Sequence, residues 1–184
     1  MNPYRQEIRI EDGRYRIRGI RDGDAHDLAL VYGDLTALPY FNSDNCHGDI
    51  FYYPTVERLR EAMRFWAYSR ENGYFLRLAI EDRRSGRVIG TTEVFRREAD
   101  DYFHGVCLLR LDVRGECERR DVLAPILRLI APASKQWFCV DRVATKAPAY
   151  AIERIQALID CGFEASNEKL IGDDGTAYGG YFVG

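Results

Sequence analysis

The residues of this chain that could do chemistry fall in three places. In the stretch Val88–Phe95, VIGTTEVF, Glu93 alternates onto one strand face with Ile89, Thr91 and Phe95. A carboxylate on such an uncharged face is poised for a raised pKa and for work as a general base. The alternative is a solvent-exposed face on which Glu93 is a surface charge. Asp112 ends the apolar run Leu108, Leu109, Leu111, Val113 and is the second candidate base, against a plainer role of capping or pairing with a nearby Arg. The third place is Asn42–Asp49, NSDNCHGD. Asp44, Cys46, His47 and Asp49 sit too close together for any recurrent metal-ligand spacing, so no metal is expected. Cys46 and His47 are adjacent, which rarely lets two side chains face each other as nucleophile and base. His47, Tyr52 and Tyr53 suit recognition better, with polar tips on apolar bodies lining a groove; equally, the aromatics here fix a long loop by packing.

These residues need elements to hold them. Leu108–Ile130 reads as a strand, a polar turn and a helix in which Val122, Leu123, Ile126, Leu127, Leu129 and Ile130 recur at helical spacing. A helix N-terminus entered from a strand leaves backbone N–H groups free for an anion, phosphate above all, although such units are mostly structural. Upstream, Arg14–Ile20 alternates as a strand, and Asp24 is placed to cap a helix through Tyr32 that Gly33 stops. Residues 34–54 form a long polar-aromatic connection, read as a packed loop beside a site. Thr55 caps a helix over 56–71, with Val56, Leu59, Met63 and Trp66 on one stripe. Strands over 75–80 and 88–95 make a hairpin. After the central helix, expected to end near Ala133, come a strand over 142–145 and a helix over 152–160 burying Ile152, Ile155 and Leu158 or Ile159. Strands over 163–169 and 178–183 finish the chain. The expected organisation is a polar arm, 1–13, and one domain, 14–184.

Composition bounds the partners. Of 184 residues, 46% are hydrophobic and 30% charged, an ordinary globular balance with enough chain for a sizeable core. A formal net charge of −3 gives no electrostatic footprint for nucleic acid. No apolar run is long enough to span a membrane, and the first twenty residues contain no secretory h-region, so no membrane partner is expected. The five cysteines are scattered without a CxxC pair, which suits reduced thiols and a cytoplasmic location.

Four stretches together resemble the GNAT superfamily of acetyl-CoA-dependent N-acetyltransferases, in the branch that acetylates ribosomal-protein N-termini and small amines. They are the opening IRGIRDGDAHDL, the hairpin strand GRVIGTTEVF, the central LRLDVRGECERRDVLAPILRLI and the C-terminal RIQALIDCGFE, spanning about residues 14 to 184. The resemblance implies an α/β fold with a central, mostly antiparallel, splayed sheet flanked by helices. It implies acetyl-CoA as co-substrate and direct attack of an amine on its thioester, the acceptor being a small molecule or a peptide. Glu93 or Asp112 would then be the base, and a homodimer is among the arrangements this branch adopts. Backbone N–H groups at Val113 and at Arg119, Arg120, Asp121, Val122 and Leu123 would bind the pyrophosphate, and those of the central strand, at Leu111, would polarise the acyl carbonyl. The chain departs from the family pattern [R/Q]-x-x-G-x-[G/A] there, with Glu118 at the leading position and Asp121 and Leu123 at the two small ones. Where the family has an Asn, a Ser and a thiolate-protonating Tyr before the C-terminal Gly-Phe, this chain has Ala151, Arg154 and Leu158. The alternative reading is a catalytically inactive GNAT-shaped binding or regulatory protein.

Overall fold

The computed structural model describes residues 2–184, and the strand and helix periodicities translate directly into its elements. The polar arm makes a 3-10 turn at Pro3–Arg5 and then β1 (Arg9–Glu11), an edge strand. There follow β2 (Tyr15–Gly19), α1 (Ala25–Tyr32), α2 (Val56–Glu71), β3 (Leu76–Asp82), β4 (Arg87–Arg96), β5 (Cys107–Val113) and α3 (Arg120–Phe138). The chain closes with β6 (Val143–Lys146), α4 (Ile152–Asp160) and four short strands, β7 (Glu164–Ala165), β8 (Leu170–Ile171), β9 (Ala177–Tyr178) and β10 (Tyr181–Val183).

Eight strands form one sheet in the order β1-β2-β3-β4-β5-β6-β10-β7, antiparallel except for β5 against β6. Both faces are covered. On one, Tyr15, Ile17, Leu76, Leu78, Ile80, Leu109, Leu111 and Val113 pack under Val122, Ile126 and Ile130 of α3. On the other, Ala79 and Val88 meet Leu28 and Tyr32 of α1, Leu59 and Trp66 of α2, and Phe41, Phe51 and Tyr53 of the long loop. Gly90 is required where β4 crosses β5: a Cβ there would lie 2.2 Å from the backbone oxygen of Asp112.

The parallel pairing of β5 and β6 stops early. Cys107, Leu108 and Leu109 pair with Val143, Ala144 and Thr145, after which the strands part. Residues 110–113 continue β5 with no strand on that side, opening a wedge that points at the start of α3. The fold is therefore the mostly antiparallel, splayed α/β arrangement that the resemblance implies.

Four local expectations change. Asp24 makes no cap bond to α1; its carboxylate takes Arg18 Nη1 and Nη2 at 2.8 and 2.9 Å and the Arg21 N–H. The central helix runs past Ala133 to Phe138, where Cys139 adopts the left-handed conformation at φ 52°. The stretch 163–169 pairs only at Glu164–Ala165, because β8 and β9 leave the main sheet to pair with each other. Finally, α4 turns Ile155 and Leu158 to the core as expected, but Ile152 is 61% exposed and Arg154 is buried beside Ala157 instead.

Candidate functional site

Glu93 and Asp112 stand on neighbouring strands, on the sheet face covered by α1, α2 and the long loop, and neither is a surface charge: both are buried. Between them lies Arg77 of β3, which the sequence reading passed over. Its Nη2 donates to Glu93 Oε2, and its Nη1 donates to Asp112 Oδ2 at 2.8 Å and to the Tyr32 hydroxyl at 2.7 Å. The guanidinium carbon sits 4.9 Å from the Trp66 ring centroid and 5.1 Å from that of Phe51, cation–π contacts in a dry setting. Arg110 Nη1 donates to Glu93 Oε1, so both oxygens of Glu93 are held by arginines. Tyr32 donates to Asp112 Oδ2 and shares a 2.6 Å hydrogen bond with Thr91.

This network separates the two carboxylates. Burial pushes the Glu93 carboxyl upward, but Arg77 and Arg110 outweigh it and hold it below the ordinary carboxylate range, reversing the raised pKa expected from its uncharged strand face. For Asp112 burial prevails over Arg77, and its carboxyl titrates above its usual value. Asp112 Oδ1 has no hydrogen-bond partner, an orphaned buried oxygen next to the wedge.

The loop of residues 34–54 spans the wedge. Asp44 accepts both hydrogen bonds of Lys146 Nζ at 2.7 Å and one from the Tyr181 hydroxyl at 3.1 Å, and its backbone oxygen accepts from Arg110 Nη2. Nearer the helix, Asp34 Oδ2 accepts the Gly115 N–H at 2.8 Å, pinning the loop to the β5–α3 turn. A cavity of about 340 Å³ opens beside it, lined by residues 43–50 with Asp174 and Tyr178. His47 lines it at φ 52°, a conformation uncommon for a residue with a Cβ. Tyr53 does not line it. Its ring packs against Tyr32 and Trp66 and its hydroxyl donates to Asp49, so Tyr53 builds the loop, the packing alternative foreseen for this cluster. Tyr52 is partly exposed outside the cavity wall. Among the described residues, no group of three or more His, Cys, Asp or Glu side chains is placed to hold a metal ion, and all five cysteines are free.

The start of α3 differs most from a simple anion cradle. Leu111 and Val113 turn their side chains into the core, as do Val122 and Leu123. The N–H groups of Val122 and Leu123 both donate to Arg119 O, and that of Arg119 to Cys117 O. The Arg120 N–H donates to Glu153 Oε2 at 2.8 Å, so a carboxylate from the first turn of α4 occupies the positive end of the α3 dipole. Asp121 swings onto Arg119, Nη2 to Oδ2 at 2.8 Å, and Arg120 is bound by Asp160. Glu118, at the leading motif position, forms a buried pair with Arg154, Nε to Oε2 at 3.0 Å. That pair is what allows Arg154 to be buried on α4, since a buried guanidinium demands a buried counter-charge. Of the predicted anion-binding backbone at 119–123, only the Asp121 N–H is left without an acceptor. Leu158 is core and the Tyr150 hydroxyl donates to Pro39 O, so neither position supplies the thiolate acid that the resemblance implies. Sequence offered no signal for Glu153, an ordinary first-turn acid.

No family model and no curated protein sequence matches this chain. Solved structures do. Mycobacterium smegmatis RimJ in complex with CoA-disulfide superposes with a TM-score of 0.71 at 15% identity, covering 100% of this chain and 88% of the other. A GNAT-family acetyltransferase from Bacillus anthracis gives 0.70 at 8% identity over 96% and 97%. Spermidine N-acetyltransferase from Vibrio cholerae, in complex with CoA and spermine, gives 0.64 at 14% identity over 94% and 93%. At such identities the likeness speaks for architecture, and the chain has the fold of the GNAT acetyltransferases.

Proposed function

We propose that this protein is an acyl-CoA-dependent N-acyltransferase that passes an acetyl group from acetyl-CoA to a primary amine by direct attack. The observation that carries this is the wedge: β5 leaves β6 after Leu109 and runs on over residues 110–113, paired only with β4, toward the α3 N-terminus, in a fold whose solved examples include CoA complexes. The free edge of β5 offers main-chain groups at Leu111 and Val113 to an acyl thioester and its linker. The start of α3, residues 119–123, is the place for pyrophosphate, with Arg119 and Arg120 beside it. As folded, that place does not present a free anion cradle: Glu153 sits on the Arg120 N–H and Glu118 is locked to Arg154. Anion binding there therefore has to compete with the chain's own carboxylate.

Of the two carboxylates, Asp112 is the better base, because its Oδ1 is unengaged and burial raises its pKa. Glu93, bound on both oxygens, is a positioning residue that fixes Arg77 and Arg110. The cavity bounded by His47, Asp49 and Asp174 is the acceptor end; its carboxylates suit a cationic amine, small or peptidic.

The second reading is a GNAT-shaped binding protein without coenzyme. Glu153 on the α3 terminus and the Glu118–Arg154 pair are the observations in its favour. Thermal unfolding with acetyl-CoA, CoA and ADP separates the two. Ligand bound only by the folded state adds about 2.7 kcal/mol of stability at a hundredfold excess over Kd. A clear rise in Tm supports the transferase, to be followed by an amine screen. No rise at millimolar acetyl-CoA leaves the binding protein.

A further inference from the structure

A cleft of about 580 Å³ lies between the N-terminal arm, the end of β2 and one face of α2, and the proposed acyl transfer makes no use of it. Its walls hold Arg5, Arg21, Arg60, Arg64 and Arg70 against only two carboxylates, Asp22 and Glu71. This concentration is unusual in a chain of net charge −3 whose other arginines are mostly paired. Nearby Arg18, Arg58 and Arg77 each hold a carboxylate within 3.4 Å. Arg21, Arg60 and Arg64 hold none among the described residues, and Arg70 donates only to the backbone oxygens of Tyr4 and Gln6.

The placement follows from helical periodicity. Arg60, Met63, Arg64, Ala67, Arg70 and Glu71 share one face of α2, and Trp66 forms the floor with Arg77 beneath it. Arg60 and Arg64 are four residues apart, where like charges repel along a helix unless an anion lies between them. Guanidinium groups present forked donors that match phosphate oxygens, and Trp66, Met63 and Ile20 supply an apolar wall. The dimensions are those of a small-molecule site.

We propose that this cleft binds a small phosphate-bearing anion, held by Arg60, Arg64 and Arg21 with Trp66 against its body. The site lies apart from the coenzyme wedge and meets the buried carboxylate network only at its floor, where Trp66 covers Arg77.

The test is a titration of the full chain with pyrophosphate, inorganic phosphate and ADP at constant ionic strength, read by Trp66 fluorescence in a Trp137→Phe background and by Tm. The expected result is saturable binding of pyrophosphate, weakened about tenfold or more in the double variant Arg60→Glu/Arg64→Glu, as loss of charge-assisted hydrogen bonds predicts. The Trp66 response, which reports on the cleft and not on the start of α3, should be unchanged in Arg119→Ala/Arg120→Ala. Both substituted α2 positions are exposed, and far-UV circular dichroism verifies that the variants fold. Tighter binding of ADP than of pyrophosphate identifies an organic phosphate as the source, and the reverse identifies the inorganic anion. Three results overturn the proposal: no response at about 10 mM of any phosphate, a response reproduced by sodium chloride alone, or binding lost in the Arg119/Arg120 variant but retained in the Arg60/Arg64 one.

Discussion

Replacing Glu153 by Ala removes the carboxylate that stands where a pyrophosphate would have to bind. The bond it deletes, Arg120 N–H to Glu153 Oε2 at 2.8 Å, caps one of the four donors that a helix start leaves orphaned. Caps of this kind contribute about 1 kcal/mol, within a range of roughly 0.5–2. In a chain of this length the expected fall in Tm is about 2–4 °C. An anion arriving at the same N–H must displace the carboxylate, so the same 1 kcal/mol is returned as affinity: acetyl-CoA should bind about fivefold more tightly to the variant. Glu153→Gln, which keeps an acceptor oxygen and loses the charge, should fall between the two. Isothermal titration of wild type and both variants, with the Tm of each free protein, gives the two numbers independently. Equal affinity in wild type and Glu153→Ala would refute the competition. Absence of binding in all three at millimolar ligand would refute pyrophosphate recognition at this terminus altogether.

Other outcomes follow from the buried network. Arg77→Met leaves Asp112 buried without its cationic partner and Glu93 to Arg110 alone, and should lower stability by about 3–5 kcal/mol, measured by urea unfolding. Glu93 has a depressed folded pKa, so its stabilisation is present above its unfolded value near 4.3 and is lost as pH falls through the lower, folded one. The acid limb of the wild-type stability curve should therefore be steeper below about pH 4 than that of Glu93→Gln, whose absolute stability is lower throughout; parallel limbs would contradict the assignment. Gly90→Ala forces a Cβ against the Asp112 backbone oxygen and must push β4 from β5, with a loss of several kcal/mol or failure to fold, visible by circular dichroism. In an amine-acetylation assay, Asp112→Asn should lower turnover by about 10²–10⁴-fold and remove the acidic arm from the rate–pH profile of the residual activity, whereas a merely structural Asp112 would leave that arm in place.

Periodicity in the sequence gives the main elements from β2 to α4, and the splayed sheet follows from the resemblance carried by four stretches, while the pairing of the C-terminal strands was not legible. Periods of 2 and 3.6 are local, and so are the stops, with Gly73 at φ 75° after α2 and Gly162 at φ 80° after α4. The sequence also drew attention to Glu93, Asp112 and the α3 start, and found the substitutions at Glu118 and Arg154 without seeing that the two residues hold each other. What it could not show is which charges meet. Arg77 reads as one more outward residue of an alternating strand, yet both faces of this sheet are covered, so alternation points it into the protein and not into water. Its partners lie on β4, β5 and α1, and Glu153 reaches Arg120 across 33 residues of chain. Whether a buried carboxylate becomes a base or half of an ion pair depends on the sign and distance of its neighbours within a few ångströms. Those neighbours are set by strand register and by the crossover that lays α4 beside α3, and only the tertiary structure decides them.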